Sequence, residues 1–179
     1  VVKRDVTRLI TPGTLTDEPM LDAGIANFLA SISFVVTRSQ GRRTGLAWVD
    51  LSTGHFSAMS GHEDVVIDQL ARINAAEVLL PETTHGEEHP LAGRLRATGI
   101  RTITTRPAWQ FAPHHAVEQI RAQYHVNTVA GFGFEGDDDA GVVAAGAILS
   151  YLRETQRTSL GHLRPPVPHR VERHLLIDP

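Results

Sequence analysis

SISFVVTRSQGRRTGLAWVDLSTGHFSAMS (Ser31–Ser60) decides how this chain folds. Its opening, SISFVVTR (Ser31–Arg38), is rich in β-branched and aromatic residues, and GLAWVDLS and HFSAMS follow at hairpin distance. QGRRTG (Gln40–Gly45) reads as a polar, glycine-bearing loop between the first two, and Thr53-Gly54 as a tight turn between the second and third. Strands joined by links this short pair antiparallel, because a parallel return needs a crossover of about a dozen residues or more. The stretch predicts an antiparallel meander.

Downstream the period changes. EDVVIDQLARI (Glu63–Ile73) sets Val65, Val66, Gln69, Leu70 and Ile73 on one helical stripe. AEVLLPE (Ala76–Glu82) is a short apolar run closed by proline, a buried strand. PLAGRLRATG (Pro90–Gly99) reads as a short helix ended by Gly99, and IRTITT (Ile100–Thr105) as a further strand. Strands alternating with helices imply parallel crossovers. HAVEQIRAQY (His115–Tyr124) puts Val117, Ile120 and Tyr124 on one inward face, and AGVVAAGAILSYLRETQ (Ala140–Gln156) is a long helix whose Ala/Gly content permits close packing.

The flanks are less regular. VVKRDVTRLI looks extended, TPGTLTDEP (Thr11–Pro19) carries a Pro-Gly turn, and MLDAGIANFLA (Met20–Ala30) places Leu21, Ile25, Phe28 and Leu29 at helical spacing. SLGHLRPPVPHRVERHLLID (Ser159–Asp178) is proline-punctuated and extended. The order β-β-β-α-β-α-β, then helices, predicts an α/β fold. Its antiparallel meander followed by parallel crossovers is the strand logic of a ribonuclease H-like mixed sheet flanked by helices.

Composition removes several functions. With 179 residues the chain can bury about 70% of its unfolded surface, enough for a core without staples. It has no cysteine, which excludes thiol catalysis, disulfides and cysteine-ligated metal, and suits a reducing cytosol. No apolar run approaches the roughly 18 residues that span a bilayer, and no signal segment opens the chain. A net charge of −3 disfavours unaided DNA binding, and Lys3, Arg4, Arg8, Arg42 and Arg43 read as solvated charges. The start at Val1-Val2 and the apolar end HLLIDP suggest a piece of a longer protein.

GFGFEG (Gly131–Gly136) spells the dinucleotide-binding pattern. That loop needs a strand before it, and an acid about 20 residues on at the end of the next strand. Here QYHVNTVA precedes it, and RTSLGHLRPPVP lies where the acid-tipped strand should be. Asp137, Asp138 and Asp139 would cap the following helix and repel a pyrophosphate from it. The run reads as a glycine-rich packing turn into a capped helix.

Asp50, closing an apolar strand in GLAWVDLSTGHF, could serve as one carboxylate of a two-metal nuclease, with Glu77 and Asp137–Asp139 as companions. Asp50-Leu51-Ser52-Thr53-Gly54 also reads as an ordinary Asp-led turn, and Glu77 as a solvated residue. HGEEH (His85–His89) contains Gly86 and is followed by Pro90, so it forms a loop and not the stable helix that a zinc-protease motif requires. Neither a phosphate-cradling G-x-x-x-x-G-K-[ST] loop nor a G-x-S-x-G elbow occurs.

VKRDVTRLITPGTLTDE (Val2–Glu18), GLAWVDLSTGHF (Gly45–Phe56), VAGFGF (Val129–Phe134) and AAGAILSYLRETQRTSLGHLRPP (Ala144–Pro166) together resemble the bacterial DNA mismatch-repair family MutS, in order and spacing. The resemblance is to the connector domain. It implies a linker from a mismatch-reading domain over 1–19, the connector over 20–157, and an extended run into the lever/core domain over 158–179.

It further implies a ribonuclease H-like module without nuclease activity or a cofactor of its own, within a homodimeric cytoplasmic parent that uses ATP and Mg and holds mismatched DNA. The connector of that family presents surface to MutL. On the helix carrying Val117, Ile120 and Tyr124, the outward side chains are Glu118, Gln119 and Arg121, which makes them the candidate docking residues. The alternative function is a ribonuclease H-like, metal-dependent nuclease using Asp50.

Overall fold

Two ten-residue strands, β1 (Phe28–Thr37) and β2 (Gly41–Asp50), pair antiparallel along their whole length, from Phe28↔Asp50 to Thr37↔Gly41. The computed structural model describes residues 11, 27–39, 41–136, 139–156 and 159–170. β3 (Phe56–Gly61) pairs antiparallel with β2 and completes the expected meander. β4 (Glu77–Pro81) joins β1 in parallel, and β5 (Thr102–Arg106) joins β4 in parallel. A short strand β6 (Val167–Pro168) runs parallel to β3, so the sheet order is β5-β4-β1-β2-β3-β6.

The register sorts the side chains into two cores, since directly opposed residues share a face and neighbours along a strand alternate. Leu29, Val49 and Phe56 face one side with Ala47, Ala58 and Leu79. That face is covered by α3 (Pro113–Tyr124) and α4 (Ala140–Thr155). Ala30, Trp48 and Val78 face the other side with Ile32, Leu46 and Leu80, under α1 (Glu63–Ile73) and α2 (Ala92–Ala97). The molecule is a mixed α/β sheet with helices on both faces. No described helix is long and apolar enough to cross a membrane.

Glycine sets how close α4 comes. A Cβ on Gly45 of β2 would lie 1.9 Å from the carbonyl oxygen of Ala140. One on Gly141 would lie 2.9 Å from Met59 O, and one on Gly146 would lie 2.3 Å from Ala116 Cα in α3. Ser33 Oγ donates to Ala140 O at 2.5 Å and so satisfies a carbonyl at the sheet–helix contact. Between its first residue and Leu152, every side chain of α4 is buried. A helix apolar all round is what a central position between sheet and neighbouring helix demands.

Some sequence expectations are corrected. The helical spacing of Leu21, Ile25, Phe28 and Leu29 does not carry through to its end, because Phe28 and Leu29 belong to β1. Leu29 is fully buried between Val49 and Glu77 on the two flanking strands, and this long-range pairing overrides the local period. Leu21, Ile25 and the extended run at 1–10 lie outside the described residues. The loop QGRRTG is shorter than expected, since Arg42 and Arg43 already pair with Val36 and Val35. On α1 the buried residues are Val66, Ile67 and Leu70, whereas Val65 is exposed. The tail is extended as expected over its described residues, and Val167–Pro168 add a pairing with β3 that the sequence did not indicate.

Candidate functional site

Asp50 ends β2, where the chain turns through Leu51–Gly54 into β3. Its Oδ1 accepts from the Ser52 N–H at 2.9 Å and the Ser52 hydroxyl at 2.6 Å, and its Oδ2 from the Thr53 hydroxyl at 3.0 Å. Gly54, at φ +74°, closes the turn by donating to Asp50 O at 2.8 Å. Burial works to raise the carboxyl pKa, but the donors from Ser52 and Thr53 outweigh it and hold it below the ordinary carboxylate value. A group depressed in this way stabilises the fold above its unfolded value of 3.8, and that contribution is lost as pH falls through the lower folded value. Asp50→Ala should therefore cost about 1–2 kcal/mol at pH 7, and less at a pH where the folded carboxyl is itself protonated. Denaturant titration at the two pH values measures this difference.

Its expected companions lie elsewhere. Glu77 pairs with Leu29, and Asp50 with Phe28, the next residue along β1, so the two carboxylates project from opposite faces of the sheet. Nor is Glu77 solvated: it has no exposed surface and accepts hydrogen bonds from Thr11, Thr104 and Tyr151. Asp139 is spent on capping α4, where its Oδ1 accepts from Gly141 N–H at 2.8 Å and from the Ser60 hydroxyl at 2.5 Å. Asp137 and Asp138 lie outside the described residues. Among the described residues no three histidine or carboxylate side chains gather to hold a metal ion.

HGEEH is a loop, as expected. The His89 ring stacks on Phe34 at 5.4 Å, and its Nδ1 accepts from Leu91 N–H at 3.2 Å. Burial, reinforced by the Arg42 guanidinium, holds this ring below the ordinary histidine value.

GFGFEG forms a single 3-10 turn over Ala130–Phe132, with Gly133 at φ +90°. Phe134 is buried in the α4 core, and Phe132 packs edge-on against Tyr124 at 5.8 Å. The turn also lines a cleft of about 330 Å³ at the start of α4, together with Arg43, Ser60, Asp139 and His169. It is a packing turn that seats an aromatic.

On α3, Pro113 occupies the first turn, where its missing N–H costs nothing, and His125 ends the helix at φ +54°. Val117 and Ile120 are buried, and Tyr124 packs at the core margin with its hydroxyl donating to Arg164 O. Glu118 and Arg121 are exposed. Gln119 is a correction: it is only half-exposed, and its side-chain oxygen accepts from Arg153 of α4 at 2.6 Å. Its position between two helices recruits it to the fold.

The sequence reading missed Trp109. It lies in a 3-10 turn (Ala108–Phe111) and is 58% exposed, with its ring edge-on to His115 at 4.8 Å. Glu118 lies three residues beyond His115 on α3. The signal was available in PAWQF, where a Trp two residues after a proline stands outside any apolar period.

The model of the family described as MutS domain II matches residues 27–164. A DNA mismatch repair protein MutS from Rhodopirellula baltica is 36% identical over 193 aligned residues, covering 99% of this chain and 21% of that protein. The chain therefore spans about a fifth of the length of this curated relative. With a family model over most of its length and a relative of this identity along nearly all of it, the chain belongs to the MutS family of DNA mismatch-repair proteins, where it corresponds to domain II.

Proposed function

We propose that this chain is the non-catalytic connector of a MutS-like mismatch-repair protein, joining mismatch recognition to an ATPase clamp and offering a docking face to a MutL-like partner. The sheet order β5-β4-β1-β2-β3, antiparallel at β1-β2-β3 and parallel at β4 and β5, supports a ribonuclease H-like reading of the fold. In this reading 1–19 is the linker from the mismatch-binding domain, 20–157 the connector, and 158–179 the run into the lever/core domain. Mismatched DNA, ATP and Mg are engaged by the full-length, homodimeric, cytoplasmic parent, and the connector itself holds no cofactor.

The observation that carries the docking assignment is the exposure of Glu118 and Arg121 on α3 and of Trp109 in the 3-10 turn that precedes it. Tryptophan and arginine are over-represented among residues that dominate binding energy, and truncating one commonly costs 2 kcal/mol or more. In the full-length parent, Glu118→Ala combined with Gln119→Ala should weaken MutL recruitment roughly tenfold, with mismatch binding and ATPase rate nearly unchanged. Because Gln119 also holds Arg153, Trp109→Ala with Glu118→Ala is the companion test, as neither change touches that tie. Unchanged recruitment by both folded variants would place the docking face elsewhere.

A further inference from the structure

Docking at α3 makes no use of the HGEEH loop, which leads from β4 to α2. The loop folds on Thr83, whose hydroxyl donates to Glu87 O at 2.7 Å and whose carbonyl accepts from Gly86 N–H at 3.2 Å. His89 then ties it to the domain. Its ring stacks on Phe34 of β1, with centroids 5.4 Å apart and planes 15° from parallel. Its Nδ1 accepts from Leu91 N–H at 3.2 Å and its carbonyl from Ala92 N–H at 2.8 Å, so this one residue seats the start of α2. With Leu91 only 4% exposed, little water can take the place of the ring as acceptor.

An Nδ1 that accepts is bare, which puts the ring proton on Nε2. Protonation would turn Nδ1 into a donor aimed at the Leu91 N–H, and neither group would then be satisfied. It would also place a charge beside Arg42 of β2, whose guanidinium lies over the same Phe34 ring at 5.0 Å. That repulsion offsets the attraction of an imidazolium for the Phe34 face. Glu63 of α1 pulls the other way, but it is already paired with Arg94 of α2 at 2.5 Å and lies 3.9 Å from Arg42. Glu88, next to His89, is paired with Arg96 at 2.5 Å. Burial first, and Arg42 second, hold the ring below the ordinary histidine value of 6.5. A base that holds its proton less well when folded costs the fold nothing above that value. Stability is lost as pH falls from there through the lower folded value.

We propose that His89 is an acid-sensitive clasp: neutral, it fastens HGEEH to β1 and to the start of α2, and protonated, it lets go of Leu91 and lifts from Phe34. Phe34 lies two residues from Val36 on the same face of β1, and Val36 is 77% exposed. Release therefore widens an apolar patch on the β1–β2 hairpin. This goes beyond the docking reading and does not depend on it.

The test is a nuclear magnetic resonance titration of the isotope-labelled chain from about pH 8 to about pH 5. At the upper end the His89 Nδ1 signal should be that of a bare ring nitrogen. On acidification the Leu91 amide and the Phe34 ring should shift together with the His89 ring, at a midpoint below 6.5. Protection of the Leu91 amide from hydrogen exchange should fall about tenfold, with Val49 and Leu79 in the sheet unmoved. His89→Asn offers an acceptor oxygen in place of Nδ1 and does not titrate, so its Leu91 amide should stay protected throughout. His85→Asn, which replaces an exposed histidine of the same loop, should behave as wild type. A Leu91 amide indifferent to the titration of His89 would overturn the clasp. So would a loss of protection that persists in His89→Asn.

Discussion

Gly146→Ala should cost about 3 kcal/mol or more, or stop the chain from folding, although alanine is the better helix former. By propensity alone, Gly to Ala in mid-helix should gain about 0.5–1 kcal/mol. At Gly146 the new methyl would lie 2.3 Å from Ala116 Cα, 2.4 Å from Ala116 Cβ and 2.7 Å from Ala116 O. Two of those three atoms are backbone, so relief requires moving α3 away from α4 and reopening a core that includes Val117, Ile120 and Ile148. Overpacking in a tight core typically costs about 1–3 kcal/mol, and a contact with backbone belongs at the top of that range or above. Gly93→Ala in α2 is the control: nothing lies within 4 Å of its Cβ, so it should be neutral or stabilising. Denaturant titration of both variants reads the two signs, and a Gly146→Ala protein as stable as Gly93→Ala would contradict the α3–α4 packing described.

Phe134→Ala should cost about 3–5 kcal/mol, the usual loss when a buried phenylalanine is truncated. The side chain is 7% exposed, within the core of α3, α4 and the sheet. Gly131→Ala, in the same six-residue run, should be almost silent, because nothing lies within 4 Å of the added methyl and no positive φ is recorded there. The contrast separates the two meanings of GFGFEG. A dinucleotide loop depends on its first glycine for the tight turn. A packing turn depends on its aromatic. Thermal melts of the two variants, with and without NAD, distinguish them. A large loss from Gly131→Ala, or a nucleotide-dependent rise in Tm, would restore the nucleotide reading.

Those two positions also show what could be read in the sequence and what could not. The meander, α1 and the long α4 were legible because their signals are local: β-branched and aromatic runs between short turns for the meander, one apolar helical stripe for α1, and an unbroken Ala/Gly-rich apolar run for α4. α1 falls on Glu63–Ile73 as read. The start of β1 was not legible, since Phe28 and Leu29 take their conformation from Asp50, Val49 and Glu77, partners 22, 20 and 48 residues away by their numbering. Glu77 read as solvated for the same reason: its donors are Thr11, Thr104 and Tyr151, and no window of sequence holds them together. On α3 the inward face could be read from spacing, yet Gln119 could not be separated from Glu118 without knowing where Arg153 lies. The Gly/Ala content of α4 indicated close packing, and the structure adds its partners, Ala116 of α3 for Gly146 and Met59 of β3 for Gly141.

The central functional claim is that α3 and Trp109 form the face offered to MutL, and it is tested most directly by nuclear magnetic resonance on the isotope-labelled chain titrated with the MutL-like partner. Backbone signals of Glu118 and Arg121 and the indole N–H of Trp109 should shift or broaden first, while those of Val66, Leu70 and Leu95 under α1 and α2 remain in place. Shifts confined to the α1–α2 face, or no shifts at partner concentrations that support recruitment of the full-length protein, would contradict it.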